Sequence, residues 1–478
     1  MTARNSDPQG ERIRVFNSYR EVFSSAPIRL MSRTVATMRS MGYDDLAAAI
    51  GDLDWRTVPA DDPEDPTLRE EWGRMLDAAF SGVSTWMDQL GAQPLGYNLD
   101  SLGYPAVTGA WSGLWSRQLG ISFENTAQGP PQIYVFHGGN QAVQAALLGL
   151  GEAHREHCGT GDPPTILVPL PTFSCPLDQI ALQGMRALLL PPGDSGMDPH
   201  PDDLNQVPDG VHVDGVYMMP VNNPTGRTVP PDQLRAFIEV FLDRWPHAGI
   251  ILDSVYVRLH PQYRDLLAFF DEDPRFADSI LIVDSLSKTH GVTGLRSGAI
   301  LTRTRRFCGG VTRYAQNIMA GPSCAMQAVM LSLLAPFGTG DDELADYRIR
   351  LQLRIGRHLQ RRRRLLLERI FEDHRELLHP EQPLLPDPVT FDWEGSMYAD
   401  LQLSDRCHEL AAGHGVSPTV CFYLETGAAG VPLDGFCRNP NLEKHGLVVN
   451  GDSPELKEFQ DRTTRFVRLS FGMTPPPR

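Results

Sequence analysis

Seven short apolar runs between about residues 130 and 305 constrain the architecture most: IYVF, TILVPL, ALLLPP, VHVDGVYMMP, AGIILD, SILIVDS and SGAILTRT. Each is near-continuously apolar rather than alternating, as a strand covered on both faces should be. Stretches with helical spacing separate them, and strand–helix alternation implies an α/β layer around a mostly parallel sheet. A long amphipathic stretch follows at 341–373. Beyond it, SMYADLQL and FVRLSFG carry weaker strand patterns that suggest a smaller α+β unit. Residues 1 to about 100 read as irregular, with VPADDPEDP as a loop between helical patterns. The stretch CRNPNLEKHGLVVNGDSPELKEFQDR at 437–462 reads as a polar insertion.

Charge and cysteine usage exclude several classes. A net charge of −16 disfavours nucleic acid and anionic membrane partners. No run approaches the ~18 apolar residues of a membrane helix, and MTARNSDPQGERIRVF lacks the apolar stretch of a signal peptide. A cytoplasmic location is therefore expected. The seven cysteines contain no C-x-x-C pair, which fits reduced thiols, with no metal site expected. The basic run Arg361–Arg364 is expected to be a solvated helix face. Among 43 Lys+Arg residues only Lys288, Lys444 and Lys457 are lysines, so chemistry that needs a primary amine has three candidates.

Lys288 stands out. It lies in DSLSKTHGVTGLRSG, directly after an apolar run, where the carboxyl end of a strand binds ligands in α/β sheets. Ser285, Ser287 and Arg296 surround it, a set suited to a phosphate dianion beside an aldehyde, with lysine as the imine-forming group. The other two lysines lie in charged, surface-like stretches. Upstream, AGIILDSVYVRL ends a run with Asp253 and Tyr256, a carboxylate able to pair with a ring N–H and a phenol able to reach a ring oxygen. Asn223-Pro224-Thr225-Gly226 makes a rigid turn after VYMMP, presenting an amide. Gly138-Gly139-Asn140 lies at a strand–helix junction, where free N–H groups favour phosphate. Phe173, after TILVPL, offers a ring that could stack on a flat ligand. Each feature alone has a bland reading as turn, core or surface.

In this order and spacing the set resembles the fold type I pyridoxal phosphate (PLP) enzymes, most closely the class I/II aminotransferases, which include aspartate aminotransferase-like enzymes and aminocyclopropane-carboxylate synthase. The resemblance implies a large domain with a mostly parallel seven-stranded sheet plus a smaller α+β domain. Residues 101–340 would form the large domain, and 341–478 the linking helix and small domain. Residues 1–100 would contribute to the small domain and the substrate entrance. Lys288 then matches the Schiff-base lysine, Asp253 the partner of the pyridine nitrogen, and Asn223 and Tyr256 the contacts to the ring oxygen. Gly138, Gly139, Asn140, Ser285, Ser287 and Arg296 match the phosphate cup, and Phe173 the stacking ring. Tyr104, in LGYPAVTG, matches the tyrosine lent by a neighbouring subunit, which implies a homodimer with shared active sites. Arg468, in TRFVRLSFG, matches the clamp on the substrate α-carboxylate.

The expected chemistry is formation of an external aldimine with an α-amino acid and removal of its Cα proton by Lys288. The expected outcome is transamination in specialised metabolism. The alternatives are γ-elimination or γ-replacement on S-adenosylmethionine with carbon–carbon bond formation, β-decarboxylation, or a PLP-sensing transcription regulator. In the stretch RYAQNIMAGPS, Gln316 falls where dicarboxylate-specific members carry an arginine, so an acidic substrate side chain is not implied.

Overall fold

The structure, a computed structural model, describes residues 7–20, 27–43, 45, 52–91, 101–125, 129–159, 161–193, 197–380 and 397–472. The apolar runs form one sheet from β1 (Ile133–Phe136), β2 (Thr165–Pro169), β3 (Arg186–Leu190), β4 (Gly215–Met218), β5 (Gly249–Asp253), β6 (Ile280–Asp284) and β7 (Gly298–Thr302). Their order is β1-β7-β6-β5-β4-β2-β3. Only β7 runs against its neighbours; the other pairings are parallel. Every strand position but Arg186 is buried, which accounts for the absence of alternation.

Helix α6 (Gly139–Cys158) lies across β5, β6 and β7. It rides close to the sheet because β4 and β5 begin with glycine: a Cβ at Gly215 or Gly249 would fall 2.4 or 2.3 Å from the Leu150 side chain of α6. The edge strand β3 is covered by the stretch read as a polar insertion. Ala187 N–H donates to the Leu447 carbonyl and Val449 N–H to the Ala187 carbonyl, both at 2.8 Å. Asn450 pairs with the Leu189 carbonyl and amide at 2.6 and 3.1 Å. That segment protects a sheet edge rather than projecting from the fold.

A second, antiparallel sheet has the order β8 (Tyr398–Gln402), β10 (Phe466–Ser470), β9 (Val431–Pro432). A separate apolar cluster joins it to the end of the long Asp342–Asp373 helix and to the Asp405–His414 and Pro418–Thr426 helices. Among the described residues no helix is long and apolar enough to cross a membrane.

Two expectations are corrected. The N-terminal hundred residues carry four helices, α1 (Pro8–Arg20), α2 (Pro27–Ser40), α3 (Leu68–Ser81) and α4 (Val83–Gln89), ahead of α5 (Pro105–Leu119), with VPADDPEDP a loop between α2 and α3. The run Arg361–Arg364 is not a solvated face, since Arg362 and Arg363 are buried. VPADDPEDP docks on this side of the long helix, where Arg361 bonds Asp62 and Glu64 and Arg354 bonds Asp65 at 2.6 Å. Arg362 donates to Thr57 Oγ1 at 2.5 Å. Burial, reinforced by the Arg39 charge, pushes its guanidinium down to about 10.

At the carboxyl edge of the large sheet, Arg258 and Asp284 form a fully buried pair: Nε–Oδ2 is 2.8 Å and Nη2–Oδ1 3.2 Å. Removing one partner of such a pair leaves an uncompensated buried charge, a loss of about 3–5 kcal/mol. Asp284→Ala should therefore lower unfolding free energy in urea by that amount, and the double variant Arg258→Met/Asp284→Leu should lose clearly less. Equal losses would show that the pair acts only through shape.

Candidate active site

The topology gathers the sequence-predicted residues before any side chain is considered. β4, β5 and β6 are adjacent and parallel, so the turns leaving them lie side by side at one sheet edge. These turns carry Asn223, Asp253 and Lys288. β1 opposes β7, which opposes β6, so Gly138 leaves β1 at the same edge, and so does the Phe173 loop after β2. Carboxyl ends of parallel strands are where open α/β sheets place ligands.

Asp253 is buried. Its Oδ2 accepts from the Tyr217 hydroxyl at 2.9 Å. Burial pushes its carboxyl up to about 6, helped by the Asp284 charge and opposed by the Tyr217 hydrogen bond and the Lys288 charge. Lys288, half-buried in the Leu286–Thr289 turn, is thus close enough to act on Asp253. Tyr256 lies 2.9 Å from the Tyr398 hydroxyl, oxygen to oxygen, and burial raises its phenol well above the ordinary value. Asn223 is buried, and its Oδ1 has no hydrogen-bond partner among the described residues. The neighbouring Asn222 ties this turn to the Phe173 loop, donating to the Pro171 carbonyl at 3.1 Å. Phe173 itself is half-buried against the core.

The proposed phosphate cup also converges. Gly138 has φ +90, and a Cβ there would stand 2.6 Å from Arg296 Nη2; a Cβ at Gly298 would stand 2.5 Å from the Gly138 carbonyl carbon. A Cβ at Gly139 would lie 3.8 Å from that of Ser285. Ser285 caps the lysine turn, accepting from Ser287 N–H at 3.0 Å, and its hydroxyl donates to the Ser297 carbonyl at 2.6 Å. Arg296 adopts the left-handed conformation at φ +57, uncommon for a residue with a side chain, and donates to the Thr293 carbonyl at 3.0 Å. Asn140 is exposed in the first turn of α6, where Gln179 Nε2 donates to its carbonyl at 2.8 Å.

Arg468 is buried on β10, its guanidinium 4.7 Å from the Tyr398 ring centre and 5.1 Å from that of Phe436. Burial lowers its pKa, while the Tyr398 and Tyr256 phenols oppose that shift. Through Tyr398 it reaches Tyr256. Asp400 lies directly opposite Arg468 in the β8–β10 register and so on the same face, an acidic neighbour that the strand's own sequence does not reveal. Tyr104 is the N-cap residue of the Pro105–Leu119 helix. Its amide donates to Gln327 at 2.7 Å and its hydroxyl lies 3.2 Å from Cys324 Sγ, both partners being on the Cys324–Thr339 helix. Gln316 is exposed in a π-helical turn, Tyr314–Ile318.

Sequence reasoning missed Tyr217, Tyr398, Arg258 and Trp72. The only signal for Tyr217 was a phenol inside an apolar run. Trp72, on α3, donates its indole N–H to the His290 carbonyl at 2.8 Å, so the N-terminal segment buttresses the lysine loop.

Residues 125–362 match the family model "Aminotransferase class I and II". The chain belongs to that family. Members of the family use pyridoxal phosphate. An aromatic amino acid aminotransferase of Mycobacteroides abscessus is 34% identical over 84 residues, 17% of this chain and 22% of that protein. A valine–pyruvate aminotransferase of Mycobacterium tuberculosis is 26% identical over 270 residues, 54% of this chain and 62% of the relative. Matched stretches thus span under two thirds of these curated relatives' lengths. An aspartate aminotransferase of Thermus thermophilus, solved with maleate, superposes with a TM-score of 0.61 at 17% identity, over 94% of this chain and 92% of that one. At that identity the likeness is one of fold.

The raised carboxyl of Asp253 has a measurable consequence in the cofactor-free chain. Its folded value, about 6, exceeds the ordinary 3.8, so the folded state binds the extra proton. Stability should then fall as pH rises from about 4 to about 6, by at most roughly 3 kcal/mol at about 1.36 kcal/mol per unit. Urea unfolding across this range should show the slope, and Asp253→Asn should flatten it. A slope unchanged in that variant would assign it to another group.

Proposed function

We propose that the chain is a PLP-dependent aminotransferase that acts on an α-amino acid, in specialised metabolism, with active sites shared across a homodimer. The observation that carries this reading is the convergence of Lys288, Asp253 and Asn223 at adjacent strand ends, beside the Gly138–Arg296 cradle. The residues fit the cofactor: Asn223 Oδ1 is buried with no partner among the described residues, Asp253 is buried next to a cationic lysine, and Gly138, at φ +90, turns its backbone beside Arg296.

Bound PLP supplies an aldehyde and an electron sink for the charge that develops at the substrate α-carbon. On this reading Lys288 supplies the amine that ties the cofactor to the chain and afterwards takes the proton from the substrate α-carbon. Asp253 keeps a proton at the pyridine nitrogen, and Asn223 and Tyr256 contact the ring oxygen. Gly138, Gly139, Asn140, Ser285, Ser287 and Arg296 hold the phosphate, Phe173 stacks on the ring, and Tyr104 serves the partner's cup. Arg468 grips the substrate α-carboxylate.

Residues 101–340 would form the cofactor-binding domain and 341–478 the linking helix and small domain, with 1–100 joining the small domain and the substrate entrance. A cleft of about 710 Å³ between Asp52–Arg56 and Gly291–Leu295 supports that entrance. Transamination is favoured over chemistry at the γ-carbon by the names of the relatives, and Gln316 gives no ground for requiring an acidic substrate side chain.

Borohydride reduction of the holoenzyme should fix PLP to the peptide containing Lys288, and Lys288→Ala should lose both label and turnover. A label on Lys444 or Lys457 would overturn the assignment. Arg468→Lys keeps the charge but loses the planar fork. KM for amino acids should rise roughly 10- to 100-fold, the worth of one charged hydrogen bond, with cofactor affinity unchanged. Loss of cofactor affinity with KM intact would return Arg468 to the scaffold.

A further inference from the structure

At the opposite edge of the large sheet lies a second constellation that the proposed chemistry does not use. His154 and Cys158 are one helical turn apart at the end of α6, and His212 and Asp214 alternate along the extended segment that enters β4. Four residues from two segments 54 positions apart thus converge, with one donor atom from each within 4.8 Å of all the others. No C-x-x-C spacing announces the group, which is why the sequence suggested no metal.

The hydrogen bonds decide what the cluster needs. His154 Nε2 lies 2.8 Å from the Asp162 carbonyl, which can only accept, so that nitrogen carries the hydrogen. His154 Nδ1 then faces Asp214 Oδ1 only 2.7 Å away, a contact that needs either a proton or a metal ion between the two atoms. His212 Nε2 approaches the same oxygen at 2.9 Å, and Cys158 Sγ lies 3.7 Å from that nitrogen. Lone pairs crowded in this way call for a cation between them. The other Asp214 oxygen is held by the Thr165 N–H at 2.8 Å. Outer bonds of this kind, a carbonyl behind an imidazole and a donor behind a carboxylate, are what orient metal ligands.

We propose that His154, Cys158, His212 and Asp214 bind one zinc ion in a structural, tetrahedral site that ties the last turn of α6 to the start of β4. Two imidazole nitrogens, a thiolate and a carboxylate are zinc's usual donors, and four protein ligands make a closed, non-catalytic site. Asp214 and His154 are buried, whereas Cys158 and His212 are exposed and border a cavity of about 260 Å³ that gives the ion access.

The test uses the full-length holoenzyme, stripped with a chelator and titrated with cobalt, then zinc. One equivalent of cobalt should give tetrahedral absorption together with a thiolate-to-cobalt charge-transfer band, and zinc should displace it and raise the Tm. Cys158→Ser and His212→Ala, both at exposed positions, should fold and keep turnover. The serine variant should lose the charge-transfer band, and affinity should fall at least on the order of 10- to 100-fold, the loss that even outer-shell changes produce. Absence of stoichiometric binding, or a charge-transfer band that persists in Cys158→Ser, would overturn the proposal. A Tm that responds to acid but never to zinc would also do so, assigning a proton to the His154–Asp214 contact. None of these readouts depends on PLP chemistry.

Discussion

Arg258 and Asp284 meet with no solvent at either side chain, and the geometry of the site hangs on their contact. Asp284 is the last residue of β6, one step before the serine that caps the Lys288 turn. Arg258 follows Tyr256 by two residues on the chain leaving β5. The pair therefore fastens one strand exit to the next and fixes Asp253 and Tyr256 relative to Ser285 and Lys288. Two desolvated charges are costly, so their remaining capacity must be met. Trp115 donates to Asp284 at 2.9 Å and the Ser285 amide at 2.6 Å, while Arg258 reaches Gln352 on the long helix at 3.1 Å. The lysine turn is thereby clamped from the sheet side and from the helix that leads to the second sheet.

The same pair shapes the electrostatics. Asp253 feels burial and the Asp284 charge in one direction, and Tyr217 and Lys288 in the other. In the bare chain the first two win. Burial penalises a lone carboxylate but strengthens its attraction to an adjacent cation. A protonated ring nitrogen beside Asp253, as proposed, would supply an adjacent cation and favour the ionised carboxylate. Arg468 shows the converse. Its guanidinium is desolvated among two aromatic faces, which leaves it suited to a planar anion.

What was legible in the sequence was whatever one segment decides by itself. Continuous apolar runs such as IILD and ILIVD became fully covered strands, because no other placement buries both faces. Lys288 stood out through scarcity and position. What failed to show depends on partners far along the chain. The α1 helix buries only Val15 and Phe16 among its described residues, too little for a visible period, yet Arg12 is fixed by Asp45, which in turn accepts from Tyr423 at 2.7 Å. Arg362 looked like surface because its acceptor, Thr57, is 305 positions away. Tyr217 and Asp253 meet across neighbouring strands, a contact that strand order creates and composition cannot announce.

The stretch around residues 52–72 shows how such distant partners matter for the site. A Cβ at Gly291, in the loop after Lys288, would fall 2.5 Å from the Trp72 ring and 3.5 Å from the Leu53 Cβ. A Cβ at Gly472, just beyond the strand bearing Arg468, would fall 2.9 Å from Leu53 Cδ2 and closer still to the Asp52 carbonyl. Asp52 also accepts from the Thr293 hydroxyl. One short segment is thus wedged against the lysine loop on one side and the exit of the arginine strand on the other. Close packing transmits displacement because neither contact leaves room to yield. Enlarging Gly291 or Gly472 would shift this wedge, and the separation of Lys288 from Arg468 would change with no alteration to either side chain.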